Sequence, residues 1–218
     1  RLTLLETYET LKPALRQGLL MENKNQLQFI HDRVQEAVLS SIPAERRRQI
    51  HRQVGDYLLS AVPPGADLEK RDNLFTMVSH FNLGREDVLD REAAHALADL
   101  SYHAGNKALD SLATEAANDY FNLSRTVLPG DCWDADHYER TFSIFKKAAK
   151  TELMCGNYGN SEKLLTQLLE HAKSDLDKAE CLAEQTTSLS SIGNFIKAIE
   201  TANRGLAYFG KAIPEDSA

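Results

Sequence analysis

Apolar side chains recur every three or four positions along most of the chain, which is the spacing of amphipathic helices. Ile50, Val54, Tyr57, Leu58 and Ala61 fall on one face of a helix that Pro43 can begin. The pattern predicts helices over residues 6–17 (or from Pro13), 32–40, 43–61, 74–84, 90–109, 112–127, 134–155 and 160–173, with two more starting at 174 and 195.

One short segment departs from this spacing. Leu19 to Glu22 and Gln26 to Ile30 flank Asn23-Lys24-Asn25, and the second stretch alternates polar and apolar residues. Asparagine accepts left-handed backbone conformations, so the segment predicts a β-hairpin. It is the one convincing β element of the sequence.

Pro63-Pro64-Gly65-Ala66-Asp67 interrupts the helical pattern and is the best candidate for a linker. We therefore expect three parts: a first segment over residues 1–62, a linker over 63–70, and a second helical region over 71–218. Asp90 and Ser174 are placed to cap helices in the second region, and Asp177 completes a capping-box pattern with Ser174.

A Gly-Asn pair recurs near three predicted helix ends, at Gly105, Gly156 and Gly193. Glycine and asparagine both accept the positive φ of a helix C-cap. An aromatic residue follows two positions after the second and third glycines, and a small residue (Ser161 or Ala198) follows three later. This resembles the tetratricopeptide repeat (TPR), a helix–turn–helix unit of 34 residues. Residues 193–199 match best, and an irregular helical array is the alternative.

Charge is divided unevenly along the chain. The net charge is −7, yet residues 1–60 hold nine Lys/Arg and seven Asp/Glu, so the remainder carries −9. An acidic second region disfavours general nucleic-acid binding, which needs a basic surface. No apolar run approaches the ~18 residues of a membrane span. The chain begins at Arg1 without a secretory signal, as we expect of a piece cut from a longer protein.

The three cysteines are odd in number and far apart in the sequence. Cys132, Cys155 and Cys181 form no Cys-x-x-Cys pair, which argues against a disulfide scaffold or a zinc site. We expect small buried side chains in a reducing, cytoplasmic compartment.

The region from Leu15 to Val62 resembles the winged-helix segment of STAND-type signalling ATPases, and most closely that of bacterial multidomain sensor kinases. The similarity extends over nearly the whole chain, and the order and spacing of its motifs make it specific. The motifs are Phe29-x-His31-Asp32-Arg33-Val34-Gln35-Glu36-Ala37, Ile42-Pro43-x-Glu45-Arg46-Arg47, Ile50-His51, Leu74-Phe75-x-x-Val78-x-His80-Phe81-Asn82, Leu128-Pro129-Gly130-Asp131-Cys132-Trp133 and Gly156-Asn157-Tyr158.

The resemblance implies one cofactor contact. Ile30-His31-Asp32 is similar to the Met-His-Asp motif, whose histidine reaches the β-phosphate of ADP and holds the off state. The alternative is that His31 and Asp32 simply cap the following helix. The family's phosphate loop is absent, so we expect ATP or ADP in a preceding domain and no catalytic or metal-binding residue in this chain.

Three other groups of residues have weaker claims to a function. Arg46, Arg47, Arg48 and Arg52 spread around a helix rather than forming one DNA-binding face. The acidic residues around Trp133 lack the order of a calcium loop and fit a helix N-terminus better. The seven histidines show no metal-binding spacing, and we expect His80 to be a packed core residue beside Phe81.

The sequence therefore predicts an all-α fold. We expect a TPR-like right-handed superhelix of antiparallel helix pairs, preceded by the C-terminal part of a winged-helix domain with one hairpin. The expected function is a non-catalytic regulatory segment of a signal-transduction ATPase or sensor kinase, which binds a protein, a peptide or another domain of its own polypeptide, but neither membrane nor DNA. The alternatives are the inducer-binding arm of a large ATP-dependent transcription activator and a free-standing enzyme. The oligomeric state stays open.

Overall fold

The computed structural model describes residues 3–23, 26–85 and 90–213, and it is 73% helical. Its described part contains ten α-helices, one 3₁₀ turn and one two-stranded hairpin. The elements are α1 Leu4–Arg16, β1 Leu20–Asn23, β2 Gln26–Phe29, α2 Asp32–Ser41, α3 Ala44–Ser60, the 3₁₀ turn Leu68–Lys70, α4 Leu74–Gly84, α5 Arg91–Asp110, α6 Thr114–Val127, α7 Tyr138–Met154, α8 Tyr158–His171, α9 Asp175–Ser191 and α10 Phe195–Ala207.

Capping side chains fix several of the helix starts. Asp90 accepts the Ala93 N–H at 2.8 Å, as predicted. The capping box of Ser174 and Asp177 is also confirmed. A second capping box, between Thr3 and Glu6, starts α1, which continues through Pro13. Pro43 precedes α3 as its N-cap rather than occupying its first position.

The predicted hairpin is present. β1 and β2 are antiparallel, with Leu20 opposite Phe29 and Asn23 opposite Gln26. The central turn residues Lys24 and Asn25 lie outside the described part.

From α3 onward each helix packs against the next in sequence, and the closest pairs are α3 with α4, α5 with α6, α7 with α8, and α9 with α10. Connections of three residues join the last three of these pairs, so the paired helices run antiparallel. No helix in the described ranges is long and apolar enough to cross a membrane.

Three turns within these pairs share one geometry. Leu112, Gly156 and Gly193 have φ of 59°, 79° and 77°. In each turn this residue donates its N–H three residues back and the next residue donates five back, which is a Schellman motif. Asn157 and Asn194 have negative φ and begin the following helices, so the glycine alone supplies the left-handed conformation.

The prediction of a helix end at Gly105 is wrong. Gly105 lies inside α5, and an added β-carbon there would come within 2.6 Å of the Phe121 ring. The glycine permits close packing of α5 on α6, whereas the turn of this pair is at Leu112. The repeat therefore runs from Leu112 to Gly156 to Gly193.

A small buried residue lies five positions after each of these turns. Ala117, Ser161 and Ala198 are at most 3% exposed. Two apolar cores form, one centred on α4 and α5 and the other on α6, α7 and α8, and Ala117 belongs to the second. Phe75, Tyr102 and Tyr120 border both cores and α10 packs against α9, so the described residues from 74 to 207 form one continuous stack.

Candidate functional site

His31 lies at the junction between the hairpin and α2. Its backbone is extended, with φ of −134° and ψ of 139°, and it is the N-cap residue of α2. Its side chain is exposed and makes no capping hydrogen bond, so the imidazole is available to a ligand. Asp32 adds a carboxylate to the first turn. The ADP contact stays a prediction.

Three of the four arginines of α3 have partners within their own helix or on α4. Arg48 forms an ion pair with Glu45, and Arg46 donates to Gln49 Oε1 at 3.2 Å. Arg52 bonds to Asp56 at 3.3 Å and lies over the Phe81 ring of α4. Arg46 and Arg48 therefore bond along the surface of α3, whereas Arg52 lies at the α3–α4 interface.

Two of the acidic residues near Trp133 form ion pairs with an arginine side chain. Arg91 forms ion pairs with both Asp131 and Asp134. Asp134 also accepts the backbone N–H of His137 at 2.9 Å, immediately before α7. The N-cap of α7 is His137, whose side chain makes no capping hydrogen bond, so Asp134 bonds to the N-cap residue and the predicted capping by the acidic residues is found only in this indirect form. Hydrogen bonds from His137 lower the pKa of Asp134.

The structure brings together two pairs of histidines that are far apart in sequence. His51 of α3 and His80 of α4 have their Nδ1 atoms 2.9 Å apart. One ring must donate and the other accept, so at least the accepting ring must be neutral, and the contact is lost when both rings are protonated. Burial, followed by the charge of His51, lowers the pKa of His80. His80 is half-buried beside Phe81 rather than a packed core residue, and its pairing with His51 was not foreseen.

The second pair stacks face to face. The ring centroids of His95 and His137 are 3.9 Å apart, at an interplanar angle of 15°. His137 Nδ1 also lies 2.9 Å from Asp134. Burial lowers the pKa of His95, and the charge of His137 acts in the same direction.

A group of polar side chains joins the 3₁₀ turn Leu68–Lys70 to the helical stack. We call Glu69, Asp99, His103, Asn106 and Arg140 the Arg140 cluster. Arg140 of α7 donates to Asp99 at 2.6 Å and lies 3.2 Å from His103 Nε2. Because arginine only donates, Nε2 must accept, and His103 Nδ1–H donates to Glu69 at 2.9 Å. Asn106 donates to the same Glu69 oxygen at 3.0 Å. A neutral His103 therefore satisfies both neighbours and ties the 3₁₀ turn to α5 and α7.

Tyr138 connects α7 to α9. Its hydroxyl donates to Asp177 at 2.8 Å and accepts the Lys173 N–H at 3.0 Å. Burial raises the pKa of Tyr138 to about 12. The hydroxyl is therefore a structural link between repeats rather than an acid at neutral pH.

All three cysteines are free thiols. Cys132 and Cys181 are buried, as expected, and Cys155 is half-buried. Burial raises the pKa of each thiol, that of Cys181 to about 12. Such thiols are poor nucleophiles, because the reactive form is the thiolate.

Shallow clefts lie between the helices. The one between α8, α9 and α10 has a volume of about 250 Å³, with Lys197 and Arg204 on one side and Glu162 on the other. Within the described ranges no three His, Cys, Asp or Glu side chains are grouped to hold a metal ion.

Sequence reasoning located the capping residues but missed the histidine pairs and the Arg140 cluster. Each of these groups joins residues at least 29 positions apart. Such contacts depend on how the helices align side by side, and periodicity within one helix carries no signal for that alignment.

Comparison with known proteins gives one informative similarity. The chain is 26% identical, over 193 aligned residues, to the hybrid signal transduction histidine kinase G of Dictyostelium discoideum. The alignment covers 79% of this chain but only 6% of that kinase. No protein-family model matches the chain, and no solved structure matches it. The similarity fits a role in signalling.

Proposed function

We propose that this chain is a non-catalytic regulatory and protein-interaction segment of a larger signal-transduction ATPase or sensor kinase. In this proposal residues 1–62 are the end of a winged helix. Residues 71–218 are a TPR-like right-handed superhelix that presents a concave surface to a protein, a peptide or another domain of the same polypeptide. The compartment is the cytoplasm.

The observation that carries the proposal is the equivalence of the turns at Leu112, Gly156 and Gly193. Three helix pairs share this turn and have a small buried residue at the same position, as copies of one structural unit would. Stacked units of this kind form extended surfaces, which repeat proteins use for binding. The similarity to a histidine kinase supports a signalling context for that surface.

The relay would pass through the contact between α3 and α4. The helices approach so closely that a β-carbon on Gly84 would come within 2.5 Å of the Arg52 backbone. Gly55 faces the Phe81 ring in the same contact. A displacement of α3 would therefore move α4. The Arg140 cluster links the 3₁₀ turn between α3 and α4 to α5 and α7. A coupling of about 1–3 kcal/mol is typical of allosteric proteins.

The proposed nucleotide is ATP or ADP, held mainly by a preceding domain. The exposed His31 imidazole can donate one N–H to a phosphate oxygen, and the N-terminus of α2 favours an anion. This chain supplies no other ligand to the nucleotide in the proposal.

Hydrogen exchange tests the relay in the polypeptide that carries the nucleotide-binding domain. Replacing ADP by ATP is expected to change amide protection in residues 44–84. Unchanged protection over residues 3–213 contradicts the relay. Steady nucleotide turnover by the 218-residue chain alone contradicts a non-catalytic segment.

Two substitutions test His31. In the same polypeptide, His31→Ala and His31→Asn are both expected to speed ADP release if the imidazole contacts the phosphate. Because the His31 side chain makes no capping hydrogen bond, loss of a cap would not explain faster release in either variant. Unchanged ADP release in both variants contradicts the phosphate contact.

A further inference from the structure

The cleft between α8, α9 and α10 is lined by charged side chains that have no partner among the described residues. Lys197 and Arg204 of α10 line it together with Glu162 of α8. None of these three side chains forms an ion pair or a hydrogen bond with a described residue. Lys197 and Arg204 are seven positions apart, which is about two helical turns, so both lie on the same side of α10.

A buried hydroxyl group also faces this cleft without a partner. Ser188 of α9 is only 7% exposed and lines the cleft, yet its Oγ forms no hydrogen bond with a described residue. Gln185 of α9 lines the cleft as well, and its side-chain amide is equally unpaired within the described ranges. Buried polar groups in proteins nearly always have a hydrogen-bond partner. The partner of Ser188 must therefore come from the cleft itself.

The equivalent position in the preceding repeat is closed by a hydrogen bond. Thr151 of α7 and Ser188 of α9 each lie five residues before the turn glycine. Thr151 donates to Asn118 of α6 at 2.9 Å. Glu162 of α8 has the position of Asn118, six residues after the turn, but makes no such bond to Ser188. Polar groups that join the helices in one repeat are therefore free to bind a ligand in the next.

The two cations of the cleft are particular to α10. In α8 the positions equivalent to Lys197 and Arg204 hold Asn160 and Gln167, which carry no charge. The cleft thus differs from the preceding repeat both in its hydrogen bonding and in its charge. Stacking of the repeats requires neither difference, since the preceding repeat stacks without them.

We propose that this cleft binds an acidic amino acid, with its carboxylates on Lys197 and Arg204 and its ammonium group on Glu162. Two cations and one carboxylate give the lining a net charge of +1, which complements a ligand with two carboxylates and one ammonium. The Ser188 hydroxyl and the Gln185 amide can donate further hydrogen bonds to a carboxylate. The inference concerns a small ligand, and it does not depend on the proposed function.

The size and the apolar part of the cleft fit such a ligand. The volume of about 250 Å³ lies just below the roughly 300–1,000 Å³ typical of sites for drug-sized molecules. Leu189 and Ile192 of α9 supply apolar lining, against which the short methylene chain of glutamate can pack.

A titration of the 218-residue chain with L-glutamate, followed by heteronuclear NMR, tests the proposal. Amide shifts are expected to change around the cleft in α8, α9 and α10, with a dissociation constant of roughly 1 mM or below. Glutarate has the same two carboxylates but no ammonium group. It is expected to bind more weakly, because nothing then pairs with Glu162.

Three substitutions and a matched control assign the contacts. Lys197→Gln and Arg204→Gln are each expected to weaken glutamate binding about fivefold or more, because a charge-assisted hydrogen bond is lost. Glu162→Gln should weaken the binding of glutamate but not that of glutarate. Lys163→Gln is the control, because Lys163 is exposed on α8 and does not line the cleft. Glutamate binding should persist in this variant.

Circular dichroism checks that each variant is folded, as expected for changes at exposed positions. Absence of shift changes around the cleft at about 20 mM L-glutamate overturns the proposal. Equal binding of glutamate and glutarate overturns the assignment of an amino acid. Equal weakening by Lys163→Gln and Lys197→Gln also overturns the proposal, because it shows general attraction to surface lysines rather than a site.

Discussion

Residues 3–60 and residues 74–207 keep their structure by different means. Among the described residues of the first region only Leu20 and Gly55 are buried. The apolar side chains of Leu5, Met21 and Phe29 are exposed to solvent. Its elements before α3 rest on local devices, namely a capping box and a short hairpin, whereas α3 packs against α4. The second region contains two adjoining cores. Local hydrogen bonding can define helices and strands, but the free energy of unfolding resides mainly where apolar area is removed from water.

The sharpest test of this contrast is the same substitution in both regions. Phe121 is fully buried, whereas Phe29 is 37% exposed. Phe121→Ala is expected to lower the free energy of unfolding by about 3–5 kcal/mol, from lost burial and the cavity left behind. Phe29→Ala is expected to cost less than about 1 kcal/mol. Urea unfolding followed by circular dichroism measures both, and equal losses would contradict the contrast.

A second test concerns close packing within the stack. Gly105→Ala forces a β-carbon against the Phe121 ring and is expected to cost about 1–3 kcal/mol. The matched control is Gly159→Ala in α8, where nothing lies within 4 Å. There alanine is expected to stabilise the protein by up to about 1 kcal/mol. Opposite signs in thermal melts support the assignment of Gly105 as a packing residue, and the same sign for both contradicts it.

A third test uses the two capping boxes. Ser174→Ala removes the cap of α9, whose helix contributes to the buried core, and is expected to lower the unfolding free energy by about 1 kcal/mol. Thr3→Ala is expected to fray α1 without moving the main unfolding transition. Hydrogen exchange of α1 and the urea midpoint separate these effects. A shifted midpoint in Thr3→Ala would mean that the first region unfolds together with the stack.

The smallest expected effect is a dependence on pH. The pKa of His80 is lowered in the folded chain, so below the usual histidine pKa the unfolded chain binds more protons. Stability is therefore expected to fall as pH drops from about 7.5 to about 5.5. His80→Gln should reduce this slope and Ser79→Ala, an exposed neighbour, should not. His95 acts in the same direction, so part of the slope remains. An unchanged slope in His80→Gln contradicts the role of the pair.

Much of the fold was predictable because its signals are local. Asp90, Ser174 and the glycines at 156 and 193 mark helix boundaries through hydrogen bonds within a few residues. The helix end predicted at Gly105 was wrong because a glycine required by a turn cannot be told in the sequence from a glycine required by close helix packing. Only the facing residue, Phe121, distinguishes the two. The turn between α5 and α6 was not predicted because Leu112 has a positive φ, which leucine rarely adopts.

The candidate site was less predictable than the fold. His31 was placed at the start of a helix, as expected, but the pairing of His51 with His80 depends on which turns of α3 and α4 lie side by side. The same holds for Arg140, which reaches residues near position 100. One sequence specifies the periodicity of each helix and leaves the alignment between helices to packing.

The close contact of Gly105 with Phe121 has a mechanical consequence. The Phe121 ring lies directly against the Gly105 backbone, so α5 and α6 cannot slide or rotate past each other without a steric clash. The two helices should therefore move as one rigid unit. A β-carbon on Gly205 of α10, by contrast, would meet Leu182 of α9 at 3.4 Å, an ordinary contact distance. We therefore expect α10 to shift against α9 more easily than α6 shifts against α5.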